Sequence, residues 1–119
     1  MKQLTKAEEQ IIQIMWRLGK TTVKEIREQL PEPKPAINTV STIVRILESK
    51  GFVNHEKRGR GYLYFPIVKK EDYTRHSLRK MINNYFDGSF KNLVSFFAKK
   101  EAIDVHELEE ILKELNKKS

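Results

Sequence analysis

The sequence predicts a mainly α-helical chain with one small β hairpin. Three observations carry this. Ser/Thr/Asp-x-x-Glu boxes stand at Thr5–Glu8, Thr22–Glu25 and Asp104–Glu107, each a signal for the start of a helix. Val40, Ile43, Val44 and Leu47 recur at i, i+3, i+4 and i+7, the period of one helical face. Two short runs rich in aromatic and branched residues flank Arg58-Gly59-Arg60-Gly61, the composition of a hairpin and its tip.

The elements follow in order. After Thr5, the residues Leu4, Ala7, Ile11, Ile12, Met15 and Trp16 form one apolar stripe, and Gly19 stops the helix. Thr22 opens a short second helix with Val23, Ile26 and Leu30 inward, ended by Pro31; Thr21 and Thr22 also suit a brief edge strand. Pro31-Glu32-Pro33-Lys34-Pro35 is too poor in donors for helix or central strand and reads as a connector. A third helix is expected from about Asn38, its cap, to Lys50, with Gly51 as its end. Hairpin arms are expected at 52–57 and 62–67, with a four-residue tip between them. Val68-Lys69-Lys70 is a short hinge. A helix to Phe86 follows, Asp87-Gly88-Ser89 breaks it, and Phe90, Leu93, Val94 and Phe97 line a short helix. A last helix carries Val105, Leu108, Leu112 and Leu115 at the spacings of a helix seam, with Ile111 adding to it.

Helix, helix, helix and hairpin over residues 1–68 is the order of a winged helix-turn-helix domain, and residues 69–119 form three further helices. The two parts differ in charge. Residues 1–70 hold 14 Lys+Arg against 7 Asp+Glu, while 71–119 hold 9 of each, so the whole net charge of +7 lies in the first part. A basic unit joined to a neutral one suggests a binding unit and a unit with another task. The C-terminal part is apolar on one face but too small to bury a core of its own, so sharing that core with a second copy is the expected solution. Val105, Leu108, Ile111, Leu112 and Leu115 are the candidate dimerisation residues; the alternative is that these helices fold back on their own N-terminal domain.

The third helix would expose Asn38, Thr39, Ser41, Thr42 and Arg45. Asn and Arg make bidentate contacts with adenine and guanine in a major groove, and Thr methyls meet thymine methyls. An ordinary solvated face would use better helix formers, so these residues are the candidate DNA-reading set. Lys57, Arg58 and Arg60 on the wing are candidates for phosphate or minor-groove contact, and Lys20, Thr22 and Lys24 near the start of the second helix are candidates to hold a phosphate at its N-terminus. A protein-docking face would expose large apolar side chains instead, and an RNA reader would need an aromatic platform.

Other chemistry finds no support. There is no cysteine, hence no disulfide, thiolate zinc site or cysteine nucleophile. His55, His76 and His106 lack metal-ligand spacing, no Ser-His-Asp arrangement can be argued, and the sequence gives no sign of an enzyme, a metal or a cofactor. The N-terminus lacks a signal peptide's apolar core and no apolar run suits a membrane span, so a cytoplasmic protein without membrane insertion is expected.

Leu4-Thr5-x-Ala7-Glu8 to Met15-Trp16, Thr22-Val23-x-Glu25-Ile26, Asn38-Thr39-Val40-Ser41-Thr42, Leu47-x-x-Lys50-Gly51, Gly59-Arg60-Gly61-Tyr62-Leu63-Tyr64 and Phe86-Asp87-Gly88-Ser89 together resemble the BlaI/MecI/CopY-type family of penicillinase repressors. The resemblance covers nearly the whole chain. It implies a homodimeric winged-helix repressor of transcription on a palindromic operator in double-stranded DNA, with genes of β-lactam resistance or a related operon as targets. It makes Asn38–Lys50 the recognition helix and Lys57–Gly61 the wing. In the β-lactam branch a membrane sensor-protease leads to cleavage at an Asn-Phe bond; the matching place here is Phe96-Phe97 or one residue away, without the Asn. The copper branch senses metal through C-terminal cysteines, which this chain lacks.

Overall fold

Thr5 starts the first helix as the sequence requires. Its hydroxyl accepts from the Glu8 backbone N–H and the Glu8 carboxylate accepts from the Thr5 N–H, a complete capping box. The structure, a computed structural model, describes residues 1–101 and 104–118. Its elements are α1 (Lys6–Leu18), α2 (Val23–Glu28), α3 (Ile37–Ser49), β1 (Val53–Arg58), β2 (Gly61–Pro66), α4 (Lys70–Tyr85), α5 (Phe90–Glu101) and α6 (Val105–Lys118). The chain divides into two compact units, Met1–His76 and Ser77–Ser119.

In the first unit α1, α2 and α3 pack on one another around Ile11, Ile12, Met15, Ile26, Val40, Val44, Leu47 and Phe52, all essentially without solvent contact. The stripe of α1 differs from expectation: Ala7 is exposed, while Ile14 and Glu8 are buried. Apolar spacing cannot find a buried carboxylate. Glu8 is tolerated because Lys50 Nζ lies 2.6 Å from its Oε1. Burial pushes the Glu8 carboxyl up, but the bonds from Lys50 and from Thr5 outweigh it and hold it below the usual value. A depressed carboxyl stabilises the fold above its unfolded pKa, and that contribution is lost as pH falls through the lowered folded value. Lys50→Ala is therefore expected to cost about 1–2 kcal/mol at neutral pH. Denaturant unfolding should show the deficit shrinking as pH drops below the ordinary carboxylate range.

The wing is an antiparallel pair in the register Val53↔Pro66 to Arg58↔Gly61. The expected four-residue tip is corrected to a two-residue turn, Gly59-Arg60, because Arg58 and Gly61 pair directly. Gly59 at φ +60 supplies the positive torsion that a tight hairpin turn needs at its first central position. Thr21 adds an isolated bridge to Tyr64, with paired N–H···O bonds of 2.9 and 2.8 Å, so the brief edge strand expected at Thr21 and Thr22 reduces to one bridge residue, Thr22 serving as the cap of α2. Gly51, at φ +85, turns the chain from α3 toward β1.

The expected hinge at Val68 is held. Trp16 Nε1 donates to the Val68 carbonyl at 2.9 Å. Five residues on, Tyr73 is buried, its ring edge-on to Phe52 at 5.5 Å, and its hydroxyl accepts from the Leu4 N–H. The first turns of α4 thus pack within the unit Met1–His76.

The second unit contains the rest of α4, α5 and α6. Phe86 N–H and Gly88 N–H both donate to the Ile82 carbonyl, closing the end of α4. Ser89 then caps α5 by accepting from Asn92 N–H at 3.1 Å. Asp104 accepts from the His106 N–H at 3.0 Å, a side-chain cap at the second position of α6. No described side chain of residues 77–119 is fully buried. Leu78, Met81, Tyr85, Phe90, Phe96, Phe97, Ile111 and Leu112 are all exposed, Tyr85 to 78%. The side chains of Val105, Leu108 and Leu115 lie outside the described residues.

Candidate nucleic-acid interface

Helix α3 buries Val40, Val44 and Leu47, which fixes what it presents outward. Asn38, Thr39, Thr42 and Arg45 are exposed and Ser41 is half-buried. Asn38, Thr42, Arg45 and Ser49 stand at spacings of 4, 3 and 4 along the outermost ridge. Asn38 is not the cap that the sequence suggested. The N-cap is Ala36, which offers no side-chain bond, so Asn38 lies inside the first turn, exposed and with no side-chain partner among the described residues. That exposure suits an adenine edge better than a capping role does.

The other polar groups are lightly held. Arg45 folds back along its own helix, donating to the Ser41 carbonyl at 3.4 Å and the Ser41 hydroxyl at 3.3 Å. Bonds at those lengths are weak, so a guanine could take over the guanidinium at little cost. Thr42 donates its hydroxyl to the Asn38 carbonyl at 2.9 Å and is exposed. Ile37 and Ile46, 44% and 37% exposed, were not in the sequence-derived set. An unburied apolar side chain in the first turn was the signal for Ile37, and thymine methyls are its natural contact.

The one carboxylate at the far end of this helix, Glu48, does not stand free against DNA. His55 Nδ1 on β1 lies 2.6 Å from Glu48 Oε2. The same ring meets Tyr62 and Tyr64 at 4.9 and 5.5 Å. Burial first, then the Glu48 charge, raises the Tyr64 phenol, with Arg45 pulling the other way, so Tyr64 stays a neutral packing residue.

The wing candidates do not share a face. Side chains alternate along a strand. Lys57 therefore lies on the face that His55 turns to α3, and Arg58 on the opposite face with Glu56. Arg60 is at the turn; all three cations are exposed. Near α2, the Thr22 hydroxyl accepts from Glu25 N–H and donates to Glu25 Oε1, so the helix cap uses both of its capacities. Lys20 is tied to Glu56 at 3.1 Å and sits over the Phe65 ring. Lys24 is exposed.

A helix with a polar ridge beside a basic hairpin is what a groove reader needs. The model of the family described as penicillinase repressor matches residues 4–117. The chain belongs to the penicillinase repressor family. It is 28% identical over 117 residues to methicillin resistance regulatory protein MecI of Staphylococcus aureus strain N315, covering 98% of this chain and 95% of that protein. It is 25% identical over 116 residues to the penicillinase repressor of Bacillus licheniformis, covering 94% and 91%. A solved structure titled CopR repressor matches 57% of this chain and all of its own at 32% identity, with a TM-score of 0.48. The chain is accordingly a DNA-binding transcriptional repressor and not an enzyme. No helix among the described residues is long and apolar enough to cross a membrane.

Proposed function

We propose that this repressor works as a homodimer on a palindromic operator, most simply that of a β-lactam-resistance-type operon like those its relatives' names denote. The N-terminal unit supplies DNA contact: α3 enters the major groove with Asn38, Thr39, Ser41, Thr42 and Arg45, while Lys57, Arg58, Arg60 and Lys24 meet the backbone. The C-terminal helices supply pairing. The observation that carries the reading is the outer ridge of α3, whose Asn38 amide has no partner among the described residues and whose Arg45 is held by long bonds. Pairing is supported by the second unit, which exposes its large apolar side chains and fully buries none of those described.

If induction follows the β-lactam branch that the sequence resembles, it comes by cleavage after a membrane sensor-protease signal. Phe96 and Phe97 lie within α5, about half-exposed, so a protease would have to open that helix to reach the bond.

Selection from a random duplex pool with the full chain tests the proposal. The enriched sites should be two-fold symmetric, with half-site centres about 34 Å apart or a small multiple of that. Enrichment of lone, asymmetric sites would rule out the paired reading.

A further inference from the structure

The chain between α2 and α3 has more carbonyls than donors. Pro31, Pro33 and Pro35 carry no N–H, and Pro31 and Pro33 stand three residues after Glu28 and Leu30, where turn donors would come from. Side chains fill the gap. Lys34 Nζ donates to the carbonyls of Glu28 at 2.9 Å and Leu30 at 2.7 Å. Arg27 Nε donates to the carbonyl of Pro35 at 2.7 Å. Both cations are half-buried, unlike the exposed cations of the wing. Pro35 directly precedes Ala36, the N-cap of α3, and that cap has no side-chain bond of its own. Thr5 and Thr22, by contrast, fix the starts of α1 and α2.

We infer that Arg27 and Lys34 are positioning residues for sequence reading: a two-cation latch that sets the direction in which α3 leaves the turn. Lys34 closes the end of α2 and holds the connector against it. Arg27 reaches across from α2 to the last peptide before α3. Together they bridge the two helices at the point where a small rotation would carry the distal ridge, Arg45 and Ser49, away from the base edges. Both are engaged by short bonds to main-chain carbonyls, at 2.7–2.9 Å, and in this role they do not neutralise phosphates. The inference rests on the reading of α3 as the DNA-reading helix.

The test uses the full chain and the duplex it selects from a random pool, with a scrambled duplex as reference. For Arg27→Met, the ratio of selected to scrambled affinity should fall about tenfold, the scale of one lost bidentate contact. The log–log salt slope should stay unchanged, whereas loss of a phosphate contact would flatten it by about 0.9 per subunit. Arg27→Lys, which can still donate to Pro35, should recover part of the ratio. A residue that only stabilised the fold would lower the melting temperature and leave the ratio intact. Lys34→Met gives a second measurement of the same ratio should Arg27→Met fold poorly. A preserved ratio in both Met variants, or a flattened salt slope, overturns the latch alone. A wild-type chain that prefers no duplex overturns the latch together with the reading beneath it.

Discussion

Ile111→Asp combined with Leu112→Asp is expected to sediment as a monomer and to lose about 10²–10⁴-fold in affinity for the selected duplex. Both side chains are about half-exposed on α6 in the single chain, so aspartate there leaves the chain's own packing alone. In a paired molecule the same positions would be buried. Each loses about 1.5–3 kcal/mol of apolar transfer, and an unpaired carboxylate forced into the seam costs several more. Separation removes the coupling between half-sites, because the second recognition helix no longer arrives at the effective concentration set by the first. The salt response should follow. If each subunit neutralises about 4 phosphates, the log–log slope of about −7 for a dimer becomes about −3.5 for a monomer. Circular dichroism should show helix content retained. An unchanged sedimenting mass would sink the assignment of pairing to these helices.

Much of the fold was legible because local signals agreed with tertiary packing. Thr5 with Glu8, Gly19, Gly51 and the Val40–Leu47 face each acted within a few residues, and each appears where the sequence put it. The failures involve partners distant in sequence. Glu8 looks like a surface residue until Lys50, 42 residues away, reaches it. Tyr73 stands in the polar run Glu71-Asp72-Tyr73-Thr74, and nothing local shows that it packs on Phe52. Asn38 looks like a cap by type, but helix α3 starts one residue earlier. The wing is legible from its two arms, but its two glycines suggest a longer tip than the single positive torsion at Gly59 requires.

The candidate site divides in the same way. Its outward face followed from knowing the inward one, and the structure leaves Asn38, Thr39, Thr42 and Arg45 exposed. What each polar group does required coordinates. Thr22 is occupied as a cap, Lys20 as a partner of Glu56, and Arg27 and Lys34 as donors to the connector. Charge counting cannot tell these cations apart; the structure separates those bonded within the chain from those of the wing that are exposed.

That separation makes Arg45 and Arg60 the informative contrast. Arg45 lies on the α3 ridge, where a guanidinium can pair with both acceptors of one guanine, and its present bonds to Ser41 are long enough to exchange. Arg60 stands at the tip of a hairpin turn, exposed and beyond the last ladder pair, where phosphate or a narrow minor groove is within its natural reach. Arg45→Ala should therefore cost about 1–3 kcal/mol on the selected duplex, relax the preference at one base pair per half-site, and scarcely change binding to scrambled DNA. Arg60→Ala should weaken every duplex alike and flatten the salt slope by about 0.9 per subunit. The decisive measurement is the affinity of wild type, Arg45→Ala and Arg60→Ala for selected and scrambled duplexes at one salt concentration. The account predicts that the selected-to-scrambled ratio collapses for Arg45→Ala and survives in Arg60→Ala; equal losses on both duplexes for Arg45→Ala would contradict α3 as the element that reads sequence.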